Sequence, residues 1–190
     1  MDFMYQIPEI IRTIEEGKLI LYPTETIWGI GCDATNEKAI RKLNELKNRV
    51  VEKKYVLLVD NIDLLSEYVN YIPPKARNLI EYFSKPLTIV YDQPKNIPDS
   101  LLAEDGSIAI RITLDPFCKA LVNAFGKPIV STSANISGEP FPGSFEEIDL
   151  LIKDGVDFIV QHRQEESNRN ITPSTIVKVV DGSDLIFIRK

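Results

Sequence analysis

The stretch 107-SIAIRITLDPFCKALVNAFGKPIVSTS-133 carries strand, helix and strand signals in one unbroken run. Ile108, Ile110 and Ile112 alternate with Ser107, Ala109 and Arg111, the two-residue period of extended chain. From Pro116 to Lys127 the pattern turns helical, with a proline suited to the first turn and Gly126 placed as a stop. "PIVST" at 128–132 then reads as a second strand. A strand–helix–strand unit of this kind points to an α/β fold.

The flanking sequence alternates in the same way. Ile7, Ile10, Ile11 and Ile14 sit at helical spacing, and "KLILY" (18–22) follows as a strand. "NEKAIRKLNELKN" (36–48) is an amphipathic helix and "YVLLV" (55–59) a buried strand. Residues 61–70 and 73–83 read as helices and "PLTIVYD" (86–92) as a strand. "SFEEIDLLIKDG" (144–155) presents a Ser144/Glu147 capping box before a helix that stops at Gly155. The tail, 174–190, reads as two strands around an Asp-Gly turn, which makes the sheet mixed. The polar segment 161–173 reads as a surface loop, and residues 1–190 as a single domain.

Bulk composition narrows the function. The chain has 190 residues, 44% of them apolar and 26% charged, as expected of a soluble globular protein. The apolar runs are too short to span a membrane, and the N-terminus shows no secretory pattern, so a cytoplasmic location is expected. Cys32 and Cys118 read as reduced, buried thiols. With His162 as the one histidine and no C-x-x-C, the usual zinc sites are all but excluded, as is a Ser-His-Asp triad that His162 does not supply. A net charge of −6 argues against nonspecific coating of nucleic acid but leaves room for a local basic groove. Neither a G-x-x-x-x-G-K-[ST] loop nor a G-x-G-x-x-G follows a strand, so any nucleotide is held in another way.

Four stretches stand out chemically. Arg111, flanked by small residues on a strand face, is either a fork-shaped anion receptor or an arginine on a solvated sheet face. In "STSAN" the period places Ser131, Ser133 and Asn135 together, where they bond a polar ligand or cap the following turn. Lys47 and Arg49 lie where the helix pattern ends, converging on a polyphosphate or complementing a solvated helix terminus. "YPTETIWGIG" (22–31) reads as a pocket rim with exposed backbone at Gly29 and Gly31, and with Trp28 either stacked on a base or packed in the core.

Taken together, "LYPTETIWGIGCDA" (21–34), "LKNR" (46–49), "SIAIRIT", "PIVSTSANISGEP" (128–140) and "PSTIV" (173–177) resemble the YrdC family of L-threonylcarbamoyl-adenylate synthases over nearly the whole chain. The family's Lys-x-Arg and Ser-x-Asn signature falls on Lys47/Arg49 and Ser133/Asn135, which the resemblance marks as catalytic. It implies a twisted mixed sheet with flanking helices and a large concave cavity. It also implies a reaction in which L-threonine, bicarbonate and ATP give threonylcarbamoyl-AMP and pyrophosphate, with Mg2+. A separate complex would then modify tRNA beside the anticodon.

By matching motif, Thr24, Arg111, Ser131 and Ser174 would hold threonine, with Arg111 on its carboxylate. Lys47, Arg49, Ser107, Ser133, Asn135, Phe141 and Arg189 would hold ATP. The run "KNRVVEKKYVLLV" departs from the family pattern: Val50 replaces a proline, Lys53-Lys54 an Asn-Pro, and Leu58 a histidine. Trp28 stands where tyrosine or phenylalanine is usual. The second domain of longer relatives is not expected here, which makes the 161–173 loop, with Arg163 and Arg169, the candidate lid. Two other readings are a non-catalytic module binding tRNA or double-stranded RNA directly, and a carbamoyl-handling domain of the hydrogenase-maturation type.

Overall fold

A computed structural model describes residues 3–48, 55–166 and 173–189. In chain order the helices are α1 (Ile7–Glu15), α2 (Glu37–Leu46), α3 (Ile62–Tyr68), α4 (Pro74–Tyr82), α5 (Pro116–Phe125) and α6 (Leu150–Gly155). The strands are β1 (Ile20–Tyr22), β2 (Gly29–Asp33), β3 (Val56–Val59), β4 (Leu87–Tyr91), β5 (Ile108–Ile112), β6 (Ile129–Ser133), β7 (Phe158–Ile159), β8 (Thr175–Val180) and β9 (Asp184–Arg189). They form one nine-stranded mixed sheet in the order β7-β1-β2-β6-β3-β5-β4-β8-β9. No helix among the described residues is long and apolar enough to cross a membrane.

The expected strand–helix–strand unit is present, and its boundaries have the expected causes. Pro116 occupies the first turn of α5, the Asp115 carboxylate accepts from Cys118 N, and Gly126 closes the helix at φ 74°. Asn36 caps α2 in the same way, accepting from Lys38 N and Ala39 N. The hairpin β8–β9 turns through Asp181 and Gly182, both at positive φ, as an Asp-Gly turn requires. The mixed pairing follows from that hairpin and from antiparallel β1–β2, β2–β6, β3–β6 and β4–β5 contacts beside parallel β3–β5 and β4–β8. Cys32 and Cys118 are buried free thiols, as expected.

Three expectations need correction. The end of the 22–31 stretch, read as a pocket rim with exposed backbone at Gly29 and Gly31, enters the buried strand β2 between β1 and β6. Glycines weaken a strand signal, yet here close approach demands one: a Cβ on Gly31 would meet the Tyr22 ring at 2.7 Å and the Val130 carbonyl at 2.8 Å. Gly31→Ala is therefore expected to cost about 1–3 kcal/mol through overpacking, readable as a lower urea midpoint at unchanged slope. The helix expected over 144–155 begins only at Leu150, capped by the Asp149 carboxylate. Glu147 accepts from Gly143 N instead of closing a box with Ser144, while Phe145 is drawn onto Trp28 at a ring separation of 4.9 Å. The third is β7, two residues long and too short to carry a period, which the sequence reading passed over.

The core is a continuous cluster from Phe3 to Val179 that includes Trp28, Tyr22, Leu57, Leu58 and Phe117. Helix α2 packs on β2, α5 on β3, and α3 on β3 and β5. On one face of the sheet, direct pairing aligns Gly29 with Ser133, Gly31 with Ser131, Val56 with Ser131 and Ala109, and Leu58 with Arg111. That face carries small side chains at several adjacent positions, and the space they leave is what opens the cavity.

Candidate active site

The cavity has a volume of about 280 Å³, at the lower end of small-molecule sites. Its floor comes from Gly29, Val56, Arg111 and the Ser131–Ser133 end of β6, and its sides from the 24–27 turn, Phe141, Pro173–Ser174 and Arg189. Arg111 is a buried cation held from one side only. Its Nη1 lies 3.4 Å from Glu25 Oε1, while among the described residues its Nε is buried without a hydrogen-bond partner. Glu25 keeps its second oxygen on the Thr113 hydroxyl, at 3.0 Å. A guanidinium in this state retains donor capacity for a carboxylate or phosphate.

The hydroxyls around Arg111 are pre-oriented. Thr24 Oγ1 donates to Ile27 O at 2.7 Å and accepts from Thr26 N and Ile27 N, so the side chain locks its own turn. Ser174 Oγ lies 3.0 Å from Thr88 Oγ1 and accepts from Arg189 Nη2 at 3.2 Å, while Arg189 Nε donates to Ser174 O. Beneath the site Cys118 Sγ rests 3.4 Å from Pro23 O. Burial pushes the Cys118 thiol well above its ordinary range, so it does not supply a thiolate nucleophile.

The chain as a whole has counterparts among known proteins. Residues 12–190 match the model of the Sua5_yciO_yrdC family, described as "Telomere recombination". The chain belongs to the Sua5/YciO/YrdC family. It is 37% identical over 175 residues to a threonylcarbamoyl-AMP synthase of Pseudoalteromonas translucida, covering 90% of this chain and 92% of that one. It superposes on P. abyssi Sua5 complexed with L-threonine with a TM-score of 0.87 at 26% identity, over 97% of this chain and 54% of that longer one. E. coli YciO shares the fold, with a TM-score of 0.82 at 22% identity, over 98% of this chain and 89% of that one.

The residues that the resemblance marks as catalytic take up distinct positions. Ser133 is on the cavity wall; Lys47 and Asn135 are not among its lining residues. Lys47 is buried, and its Nζ donates to Ser133 O at 2.6 Å and Asn135 O at 2.5 Å. Ser133 Oγ donates to Asn135 Oδ1, and Asn135 Nδ2 donates to Glu139 O at 2.6 Å. Lys47 and the Ser-x-Asn pair thus form one linked unit at the end of β6, with the lysine directed to two backbone carbonyls and, at 3.4 Å, to Asn135 Oδ1. Arg49 and Arg169 lie outside the described residues.

Ser107 lies away from the cavity lining and donates to Asp105 Oδ1 at 2.6 Å. The Lys178 ammonium and then Ser107 hold the Asp105 carboxyl well below the usual carboxylate range. Trp28 is buried against Phe145, which settles the two readings of it in favour of the core. Leu58, at the departure from the family histidine, is fully buried on β3 beside Arg111. His162 packs against the Phe3 and Phe117 rings, and that contact gives it no place among the cavity-lining groups.

Two groups escaped the sequence reading: Glu25, which orients Arg111, and Asp115, which pairs with Arg163 at 2.8 Å. Glu25 was legible as a charge flanked by two threonines in an otherwise apolar run. Asp115 precedes the helix at Pro116, and nothing local announces its partner Arg163.

Proposed function

We propose that this chain is an L-threonylcarbamoyladenylate synthase, making threonylcarbamoyl-AMP and pyrophosphate from L-threonine, bicarbonate and ATP. The observation that carries the reading is Arg111, a half-engaged guanidinium on the floor of a cavity walled by hydroxyls and strand-end backbone. Arg111 receives the threonine carboxylate, while Thr24, Ser131 and Ser174 line the amino-acid end. Ser133, Phe141 and Arg189 lie on the nucleotide side, with Arg49 supplying further positive charge to the triphosphate.

The amine of threonine and bicarbonate form an N–C bond with loss of water. A carbamate oxygen then attacks the α-phosphorus, and the bond to the β-phosphate breaks, releasing pyrophosphate. No enzyme nucleophile is required, which fits a cavity without a histidine or an ionised thiol. The protein's work is orientation and charge neutralisation. Lys47 acts by fixing the carbonyls of Ser133 and Asn135, and so sets where Ser133 stands. Among the described residues no group of three or more His, Cys, Asp or Glu side chains could hold a metal ion. Mg2+ would supply charge neutralisation at the phosphates of bound ATP. The product would pass to a separate complex that modifies tRNA in the cytoplasm. Direct RNA binding in place of catalysis is disfavoured by the net charge of −6.

The test is pyrophosphate release from purified protein. It is expected only when threonine, bicarbonate and ATP are all present. Equal release with serine, or with no amino acid, would sink the assignment.

A further inference from the structure

Arg163 combines an uncommon backbone with an unusually well-anchored side chain. Its φ is 58°, a conformation that non-glycine residues seldom adopt. Outliers of this kind persist where the surroundings over-determine them. Here Gln6 and Gln161 exchange two hydrogen bonds, at 2.8 and 3.1 Å, Gln164 bonds Val160 O, and the His162 ring packs on Phe3 and Phe117. Residues 161–164 are therefore pinned at the start of the 161–173 segment expected as a lid, of which residues 167–172 lie outside the described residues.

The guanidinium spans two elements. Nη1 lies 2.8 Å from Asp115 Oδ2, and Nη2 donates to the Thr24 carbonyl at 3.2 Å. Asp115 is itself buried and fixed, accepting from Cys118 N and donating its own N–H to Thr113 Oγ1. Thr113 in turn holds Glu25. The turn at 24–27 is thus gripped at two consecutive residues, by Arg163 through the Thr24 carbonyl and by Thr113 and Arg111 through Glu25. Arg163 is not among the groups lining the cavity, whereas Thr24, Thr26 and Ile27 are.

We infer that Arg163 is a positioning residue for the amino-acid end of the site: its planar fork sets the height of the 24–27 turn above Arg111, and with it the fit of threonine. This rests on the synthase reading above. The fork matters because lysine supplies the charge to Asp115 without the paired, fixed donors that reach Thr24 as well.

The experiment is Arg163→Lys in the full chain, with L-threonine and ATP varied separately. The KM for threonine is expected to rise roughly tenfold while the KM for ATP and kcat stay within about twofold of wild type. Unchanged values overturn the inference. So does a parallel rise of both KM values with a lowered melting temperature, because that is the mark of a merely structural residue. Should the lysine variant not fold, Arg163→Gly, which accepts a positive φ without strain, takes its place with the same expected split. If wild-type protein shows no threonine-dependent turnover, the synthase reading falls, and Trp28 decides the grip. This single tryptophan follows the turn directly and is buried. Greater acrylamide quenching in the variant than in wild type then upholds the positioning role, and equal quenching overturns it.

Discussion

Arg111→Lys is expected to lower kcat/KM for threonine by about 10²- to 10³-fold, the scale of one lost charge-stabilising donor set. The substitution keeps a cation beside Glu25, whose Oε1 lies 3.4 Å from the present guanidinium, so the partly buried carboxylate is not left alone. What is lost is the second donor edge, represented by the unpartnered buried Nε. A lysine ammonium is a point charge and cannot present two parallel donors to a carboxylate. ATP binding, followed as ligand-dependent thermal stabilisation, is expected to persist in the variant, since the charge contacts proposed for ATP come from other elements. Retained threonine turnover at the wild-type rate would remove Arg111 from the site.

Lys47→Ala is expected to act on stability first and rate second. The lysine is 2% exposed, and its ammonium is the donor to two carbonyls, Ser133 O and Asn135 O, at the end of β6. Ser133 O retains a second donor in Asn135 N, whereas the Asn135 carbonyl loses a charged partner. Losing charge-assisted bonds of this kind and opening a cavity together cost about 3–5 kcal/mol. In a chain of this size that is a fall of roughly 6–20 °C in melting temperature. Pyrophosphate release should fall at least about tenfold even at temperatures where the variant is folded, because Ser133 is no longer held against the cavity wall. A variant with full stability and a reduced rate would instead show that the ammonium acts on substrate directly.

These two expectations show what could be read from the chain and what could not. Arg111 was legible because a charged residue alternating with isoleucines on a strand has one face to occupy, and Ser107 and Ala109 left that face open. Thr24, Ser131, Ser133, Phe141, Ser174 and Arg189 come from five separate stretches, yet all line the same cavity. The resemblance named them as a set; composition and period alone did not. The sequence also marked Lys47 and Asn135 as belonging with Ser133, but gave no sign that the lysine is turned toward backbone. Whether an ammonium meets a phosphate or a carbonyl depends on the path of β6 past the end of α2, and no local period encodes that path.

By itself the sequence determined the type of nearly every element, because helical and extended periods express themselves within one or two turns of chain. It also determined the chemical inventory of the site: one cation between small residues, a ladder of hydroxyls, and a shortage of nucleophiles. The tertiary structure alone decided that Gly29–Asp33 is a strand, since Gly31 answers to a tyrosine on the neighbouring strand. It alone joined Arg111 to Glu25 across 86 residues, and Arg163 to Thr24 across 139. Contacts at such separations follow from the order in which strands enter the sheet. That order is set by the packing of the whole core, which no single stretch contains.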